Sequence, residues 1–240
     1  MKEGIRINKY LSASGVMSRR RADSFIISGR ITVNGEKAVP GMTVDGSDEI
    51  RIDGRLLEAD PSSEKKVVIA YNKKRGIVTS TVNQGKEKNN IIDAINYPIR
   101  IYPVGRLDKD SEGLILLTND GSLVNKLLKS SSGIEKEYEV SLDKEIESRD
   151  IGKMEKGGLE LVPGRKNKPC RIVKTAPCKV NITLTEGINR EIRRIAEYYG
   201  YRVMKLKRIR FGNILLGDLK SGSYRELSPK EIKGLIKGSL

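Results

Sequence analysis

Between residues 58 and 66 the chain reads Glu-Ala-Asp-Pro-Ser-Ser-Glu-Lys-Lys, a polar stretch with one proline and no apolar period. Such a stretch has nothing to bury against a sheet or a helix, so it reads as a connection between folded parts. It constrains the fold more than any other feature, because it divides the 240 residues into a small module and a medium-sized domain, each needing its own core. The expected organisation is a domain over residues 1–60, a linker over 61–66 and a second domain over 67–240.

In the small module, Ile7-Asn8-Lys9-Tyr10-Leu11 has a short helical pattern, and Ser18 is placed to cap a second helix that runs to Ser28 and stops at Gly29. Strands follow at Ile31-Thr32-Val33 and Glu49–Ile52, each leading into a turn pair, Asn34-Gly35 and Asp53-Gly54. Charge is segregated: Arg6, Lys9, Arg19, Arg20, Arg21 and Arg30 lie in the helical half, while Asp45, Asp48, Glu49, Asp53, Glu58 and Asp60 lie in the later half. One face would therefore meet phosphate, and Ser18 through Arg21 combine a helix N-terminus with cations, a ready anion site.

From Val67 onward, strands are expected near 67–72, 101–105, 114–118, 136–142, 179–185 and 202–211, and helices near 89–96, 120–129, 145–155 and 189–199. The irregular alternation predicts an α+β domain around a mixed, largely antiparallel sheet. No repeat or low-complexity tract interrupts it.

Forty-six Lys and Arg against 31 Asp and Glu give a formal charge of +15, an imbalance that attracts a polyanion before any specific contact forms. The part after residue 62 holds 36 cations and 22 anions, so it carries nearly all of the excess. Nucleic acid is the first candidate and a membrane surface the second. No apolar run approaches the roughly 20 residues needed to span a bilayer, and Met1-Lys2-Glu3-Gly4 lacks a signal-peptide core; a cytosolic location without a membrane partner is expected. There is no histidine, and the only cysteines are Cys170 and Cys178. Common zinc spacings are thus absent and Ser-His-Asp or Cys-His chemistry is excluded, leaving Asp, Glu, Lys, Arg, Tyr, Cys or a metal held by oxygen to do any catalysis.

Two short apolar segments flank the charged loop Gly105-Arg106-Leu107-Asp108-Lys109-Asp110-Ser111-Glu112-Gly113, which places polar side chains at the end of a sheet, a location suited to a site. Taken alone, such a loop is most often a solvated turn. Arg-Leu-Asp between glycines, followed by Gly113-Leu114 and an apolar strand, resembles the catalytic motif of the pseudouridine synthases, in the branch that modifies bacterial ribosomal RNA. Residues 5–54, with Asn8-Lys9-Tyr10-Leu11, Ser18-Arg19-Arg20 and Val33-Asn34-Gly35, resemble the α-L, ribosomal-protein-S4-like RNA-binding module of that branch. Lys136-Glu137-Tyr138-Glu139-Val140 resembles its second active-site strand, and Gly187 through Arg194 its third motif, leading into Met204-Lys205-Leu206-Lys207-Arg208. Within the branch, the large-subunit members are the most similar. Where the family usually has Gln and Met, this chain has Glu191 and Ile195, and Glu191 adds negative charge near the site.

The resemblance implies isomerisation of uridine to pseudouridine, which breaks the bond from sugar to base nitrogen and remakes it to a base carbon. Nothing is oxidised or consumed, so no cofactor and no metal are implied. Asp108 is the implied catalytic carboxylate, either attacking the sugar or removing one of its protons. Arg193 is the implied guanidinium that pairs with Asp108 and aims it. Tyr138 is the candidate to stack on the flipped uracil and handle a proton, and Arg106 the candidate to enter the space the base leaves. Lys136, Arg190, Arg194, Lys205 and Arg208 are candidate substrate contacts; most of them fall in a basic run that also includes Arg193, Arg202, Lys207 and Arg210 and suits phosphates. In the N-terminal module the candidate RNA contacts are Arg6, Asn8, Lys9, Ser18, Arg19, Arg20, Arg21, Arg30 and Asn34. The implied partner is ribosomal RNA, above all 23S rRNA and including its partly assembled subunit, with tRNA as a second candidate and the protein as a monomer. Two rivals remain at this stage: an RNA-binding assembly factor without catalysis, and a metal-dependent nuclease using Asp108, Asp110 and Glu112 at alternate positions.

Overall fold

The computed structural model describes residues 4–58, 65–81, 89–129 and 133–238. The chain divides into two units, one made of residues up to Lys66 with Asn119–Gly121, the other of Val67–Thr118 with Ser122–Leu240. Most of the expected linker, residues 61–64, lies outside the described residues.

In the first unit, turn chemistry sets the sheet. The elements are β1 (Ile5–Arg6), α1 (Ile7–Ala13), α2 (Arg19–Ile27), β2 (Ile31–Val33), β3 (Glu36–Lys37), β4 (Thr43–Val44), β5 (Ile50–Ile52) and β6 (Arg55–Leu56). Asn34 and Gly35 have φ of 51° and 86°, and Asp53 and Gly54 have 51° and 80°. Two successive left-handed residues match the twist of a tight hairpin, and these pairs close β2–β3 and β5–β6, which join through β2–β5 in the order β3-β2-β5-β6. Ser18 caps α2 by accepting the Arg21 N–H at 3.2 Å, as expected. Ile7, Leu11, Ala22 and Ile26 of the helices pack with Ile31, Val33, Val44 and Ile50.

The larger unit continues with β7 (Val68–Lys73), α3 (Ile91–Ile95), β8 (Tyr102–Val104), β9 (Glu112–Thr118), α4 (Gly121–Leu128), β10 (Lys136–Leu142), α5 (Ser148–Glu155), β11 (Glu160–Val162), β12 (Arg165–Lys166), β13 (Arg171–Ala176), β14 (Lys179–Leu184), α6 (Glu191–Tyr198), β15 (Val203–Phe211), β16 (Ile214–Leu215), β17 (Tyr224–Glu226) and α7 (Pro229–Lys237). A sheet of nine strands runs β13-β14-β10-β15-β9-β7-β17, with β16 on β15 and β8 on β9. Its pairings are antiparallel except β15 with β9, where Arg208 lies opposite Gly113. The mixed, mainly antiparallel sheet is the one the sequence predicts.

The centre of that sheet is buried on both faces. On β9, Leu114 and Leu116 join one cluster with Phe211 and Leu235, while Ile115 and Leu117 join another with Tyr71 and Ile91. A period of two between two apolar layers explains the uninterrupted Leu-Ile-Leu-Leu run. Each such side chain contributes about 1.5–3 kcal/mol on burial, so the loop preceding β9 hangs from one of the best-anchored strands. Among the described residues, no helix is long and apolar enough to cross a membrane.

Candidate active site

The loop from Gly105 to Ser111 enters from β8 and leaves into β9, and several independent contacts fix it. Leu107 is buried with Tyr71 and Ile115, and its carbonyl accepts the buried Thr79 hydroxyl at 2.7 Å. The Lys73 ammonium, 0% exposed, donates to the Ser111 carbonyl at 2.8 Å and the Lys74 carbonyl at 3.1 Å. Gly76 N–H donates to the Lys109 carbonyl at 2.8 Å. With its flanks held, Asp108 is the partly exposed residue that turns toward a cleft of about 480 Å³.

Gly105, with φ of 77°, begins the loop. The other walls are β10, β15, the end of α4 and the turn Thr185–Arg190 that starts α6. Tyr138 lines this cleft from β10 beside a register shift between Glu137 and Tyr138, a bulge that re-aims side chains near a site. Arg208 is 2% exposed. Its Nε donates to the Leu114 carbonyl at 2.6 Å, and its guanidinium carbon stands 5.9 Å from the Tyr138 ring centre and 5.4 Å from that of Phe211. It is therefore part of the cleft's inner wall rather than a surface phosphate contact. Lys136 also lines the cleft, donating to the Ile134 carbonyl at 3.0 Å; burial, then Arg208, push its ammonium down to about 8.

The expected ion pair of Asp108 is corrected by the geometry. Arg193 donates to the Val203 carbonyl at 3.0 Å and more weakly to the Asp110 carbonyl at 3.4 Å, bracing the loop against β15. The ion pair at Asp108 is made by Arg190, whose Nη1 is 4.0 Å from Oδ2. Arg190 occupies the left-handed region, with φ of 55°, at the N-cap of α6. Arg193, one turn along, is captured by backbone carbonyls. Burial lowers its pKa, and the charges of Asp108 and Asp110 oppose that shift, so it still feels the reactive loop.

The other predicted residues separate into three groups. Arg106 is exposed and lines the cleft. Arg194 donates to the carbonyls of Asn189 (2.9 Å) and Leu161 (3.0 Å), and Lys205 pairs with Glu112 at 3.2 Å; neither lines the cleft. In the N-terminal unit, Arg6, Lys9, Arg19, Arg20 and Arg21 are exposed cations, while Asn8 donates to Asp23 at 2.8 Å. Ser18 serves as the cap of α2, Asn34 donates to Asp48 and accepts the Glu49 N–H, and Arg30 makes a two-point contact with Asp53 while lying 3.8 Å from the centre of the Phe25 ring. These last three are tied into the module's own structure.

Among the described residues, no group of three or more Asp, Glu or Cys is arranged to hold a metal ion. The nuclease reading is not favoured: Asp108 faces Arg190, and Glu112 begins β9 and faces Lys205. Lys73 is a residue that sequence reasoning missed. It stands two places after Tyr71 on a strand buried along its whole length, where the carboxylates of Asp108, Asp110 and Glu112 act on it. Burial pushes its ammonium down to about 8, and the attraction of those three carboxylates opposes the shift.

With this geometry in place, relatives give it context. Residues 67–198 match the RNA pseudouridylate synthase family, and residues 5–50 match the S4 domain. The dual-specificity RNA pseudouridine synthase RluF of Salmonella typhi is 45% identical over 232 residues, which span 97% of this chain and 78% of that protein. Ribosomal large subunit pseudouridine synthase B of Bacillus subtilis is 36% identical over 246 residues, covering 96% of this chain and 95% of the relative. A crystal structure of a pseudouridylate synthase is similar with a TM-score of 0.70 at 28% identity, covering 96% of this chain and 99% of that one.

Proposed function

The chain belongs to the RNA pseudouridylate synthase family and is an enzyme that isomerises uridine in RNA, and from this premise we propose that its substrate is a structured ribosomal RNA, foremost 23S rRNA. The carrying observation is the fixed Asp108 loop at the mouth of a cleft backed by Tyr138 and Arg208. In this reading the target uridine leaves its stack, and its uracil lies against the Tyr138 ring. Asp108 acts on the ribose, either as nucleophile or as base. The C1′–N1 bond breaks, the base turns, a C1′–C5 bond forms, and the C5 proton passes to solvent while N1, which carries no proton in uridine, takes one up. Atoms and charge balance without a second substrate. Arg190 faces Asp108 and orients it, Arg193 braces the loop, and Arg106 enters the vacated position.

The exposed cations of the S4 domain supply phosphate contacts outside the cleft. A relative bearing a dual-specificity name and another named for the large ribosomal subunit support two RNA classes as candidates, with 23S rRNA first and tRNA second. The reading places the protein in the cytosol, where both occur.

The test is to incubate the purified protein with unmodified 23S rRNA, partly assembled large subunits and tRNA transcripts, then map pseudouridine by carbodiimide adducts and primer extension. A protein-dependent stop at a discrete 23S uridine is expected. Absence of a stop in rRNA, with one in tRNA, would reassign the substrate.

A further inference from the structure

Glu191 begins α6 in the wall of the cleft and is 4% exposed. Its Oε2 accepts the Ile188 N–H at 3.0 Å. Its Oε1 is also sealed from solvent and meets no donor among the described residues. A second carboxyl, that of Glu186, lines the same cleft and interacts with Glu191; its side chain is 8% exposed. Glu186 is itself held by the Lys168 N–H at 2.5 Å and by Arg165 Nη2 at 3.3 Å. Two buried carboxylates side by side repel each other, whereas one proton between them converts the repulsion into a hydrogen bond and gives Oε1 its partner.

The pair brackets the turn Gly187–Arg190. That turn ends on a left-handed Arg190, the residue whose guanidinium reaches Asp108. We propose that Glu191 is a positioning residue that shares one proton with Glu186, and that this carboxyl-to-carboxylate hydrogen bond holds the turn presenting Arg190 to Asp108. The proposal rests on the reading of Asp108 as the reacting carboxylate.

Burial, with Glu186 adding to it, raises the Glu191 carboxyl to about 7, against the opposing Ile188 N–H and Arg165. The other titratable groups facing Glu191 are Lys136 on β10 and Cys170 beside β13; the Cys170 thiol is pushed up to about 12, mainly by burial. As pH rises through neutrality the shared proton leaves to solvent, the carboxylates repel, and the turn loosens. Turnover then falls while RNA binding persists.

The experiment measures tritium release from 5-tritiated rRNA against pH for the wild-type protein, E191Q and E186Q. In E191Q the introduced amide can donate to Glu186 while its oxygen accepts the Ile188 N–H, so this variant imitates the protonated pair; in E186Q the introduced amide can donate to an ionised Glu191. The wild-type kcat is expected to fall about tenfold per pH unit above its midpoint, with KM changing less than about twofold. E191Q and E186Q are each expected to lose that limb. A wild-type profile without the limb, or either folded variant keeping it, overturns the proposal; a retained limb would assign the titration to Lys136 or Lys73. Carbon-13 glutamate titration in D108A tests the pair without turnover: a midpoint near neutrality that disappears in the D108A/E191Q double variant is expected. A missing midpoint overturns the shared proton even where D108A is inactive. An active D108A refutes the Asp108 reading, and with it the positioning role.

Discussion

Gly113→Ala tests how firmly the Asp108 loop is tied to the sheet. Gly113 pairs with Arg208 in the parallel pairing of β9 with β15, has φ of 99°, and a Cβ added to it would lie 2.3 Å from the Arg208 carbonyl oxygen and 2.7 Å from its nitrogen. Both are backbone atoms of a buried residue, so relief requires β9 and β15 to separate. The left-handed backbone costs an alanine about 1–3 kcal/mol, and overpacking adds about 1–3 kcal/mol. The sum, about 2–6 kcal/mol, is a large part of the roughly 5–15 kcal/mol that stabilises a domain. Gly217→Ala is the control: φ is 52° and no atom lies within 4 Å of the added carbon, so only the conformational cost of about 1–2 kcal/mol applies. Urea unfolding of the full chain, followed by circular dichroism and tyrosine fluorescence, gives both midpoints. G113A is expected to unfold at clearly lower urea than G217A and to lose turnover, because the displaced Arg208 contacts the Tyr138 ring. Equal midpoints would refute the steric reasoning.

Three further outcomes follow from the same contacts. The Lys73 ammonium, near 8 in the fold against an ordinary 10.5, binds fewer protons folded than unfolded between those values; its penalty is therefore complete below about pH 8 and fades toward pH 10.5. Thermal unfolding should show wild-type stability rising relative to K73M across that window, and parallel curves would contradict it. Glu231 is held at about 2, first by Arg225 and then by the Ser228 N–H, so its stabilisation is present above about pH 4.5 and lost toward pH 2. E231Q should lower stability by about 0.5–2 kcal/mol at neutral pH and converge with the wild type in acid, as measured by urea unfolding at each pH. In the S4 domain, replacing Arg19, Arg20 and Arg21 with Ala should weaken rRNA binding and flatten its salt dependence, whereas R30A should destabilise the module with the salt slope unchanged. Filter binding across a salt series distinguishes the two.

The sequence identified elements where burial was regular. β10 occupies residues 136–142 in both the expectation and the structure, and the apolar run of β9 was unmistakable. β13 is absent from the expected strands because Ile172 is its one buried residue and Val173 is 45% exposed, so this edge strand carries no apolar period. α7 left a signal in Ser228-Pro229-Lys230-Glu231, a complete capping box with proline at the first turn, but the elements assigned from sequence stopped at residue 211. Resemblance supplied Asp108 and Tyr138, and the structure brings both to one cleft. The exchange of Arg193 for Arg190 was not legible, since it depends on a left-handed residue and on which carbonyls capture a guanidinium. The burial of Lys73 against the Ser111 carbonyl likewise arises from segments that lie far apart in sequence.

The most direct test of the central claim is tritium release from ribosomal RNA labelled at uracil carbon 5, with the wild-type protein beside D108A and D108N and without added cofactor. Release by the wild type, with both variants binding RNA normally but releasing less than about a thousandth as fast, is the predicted result. Release by D108A at the wild-type rate would contradict the account.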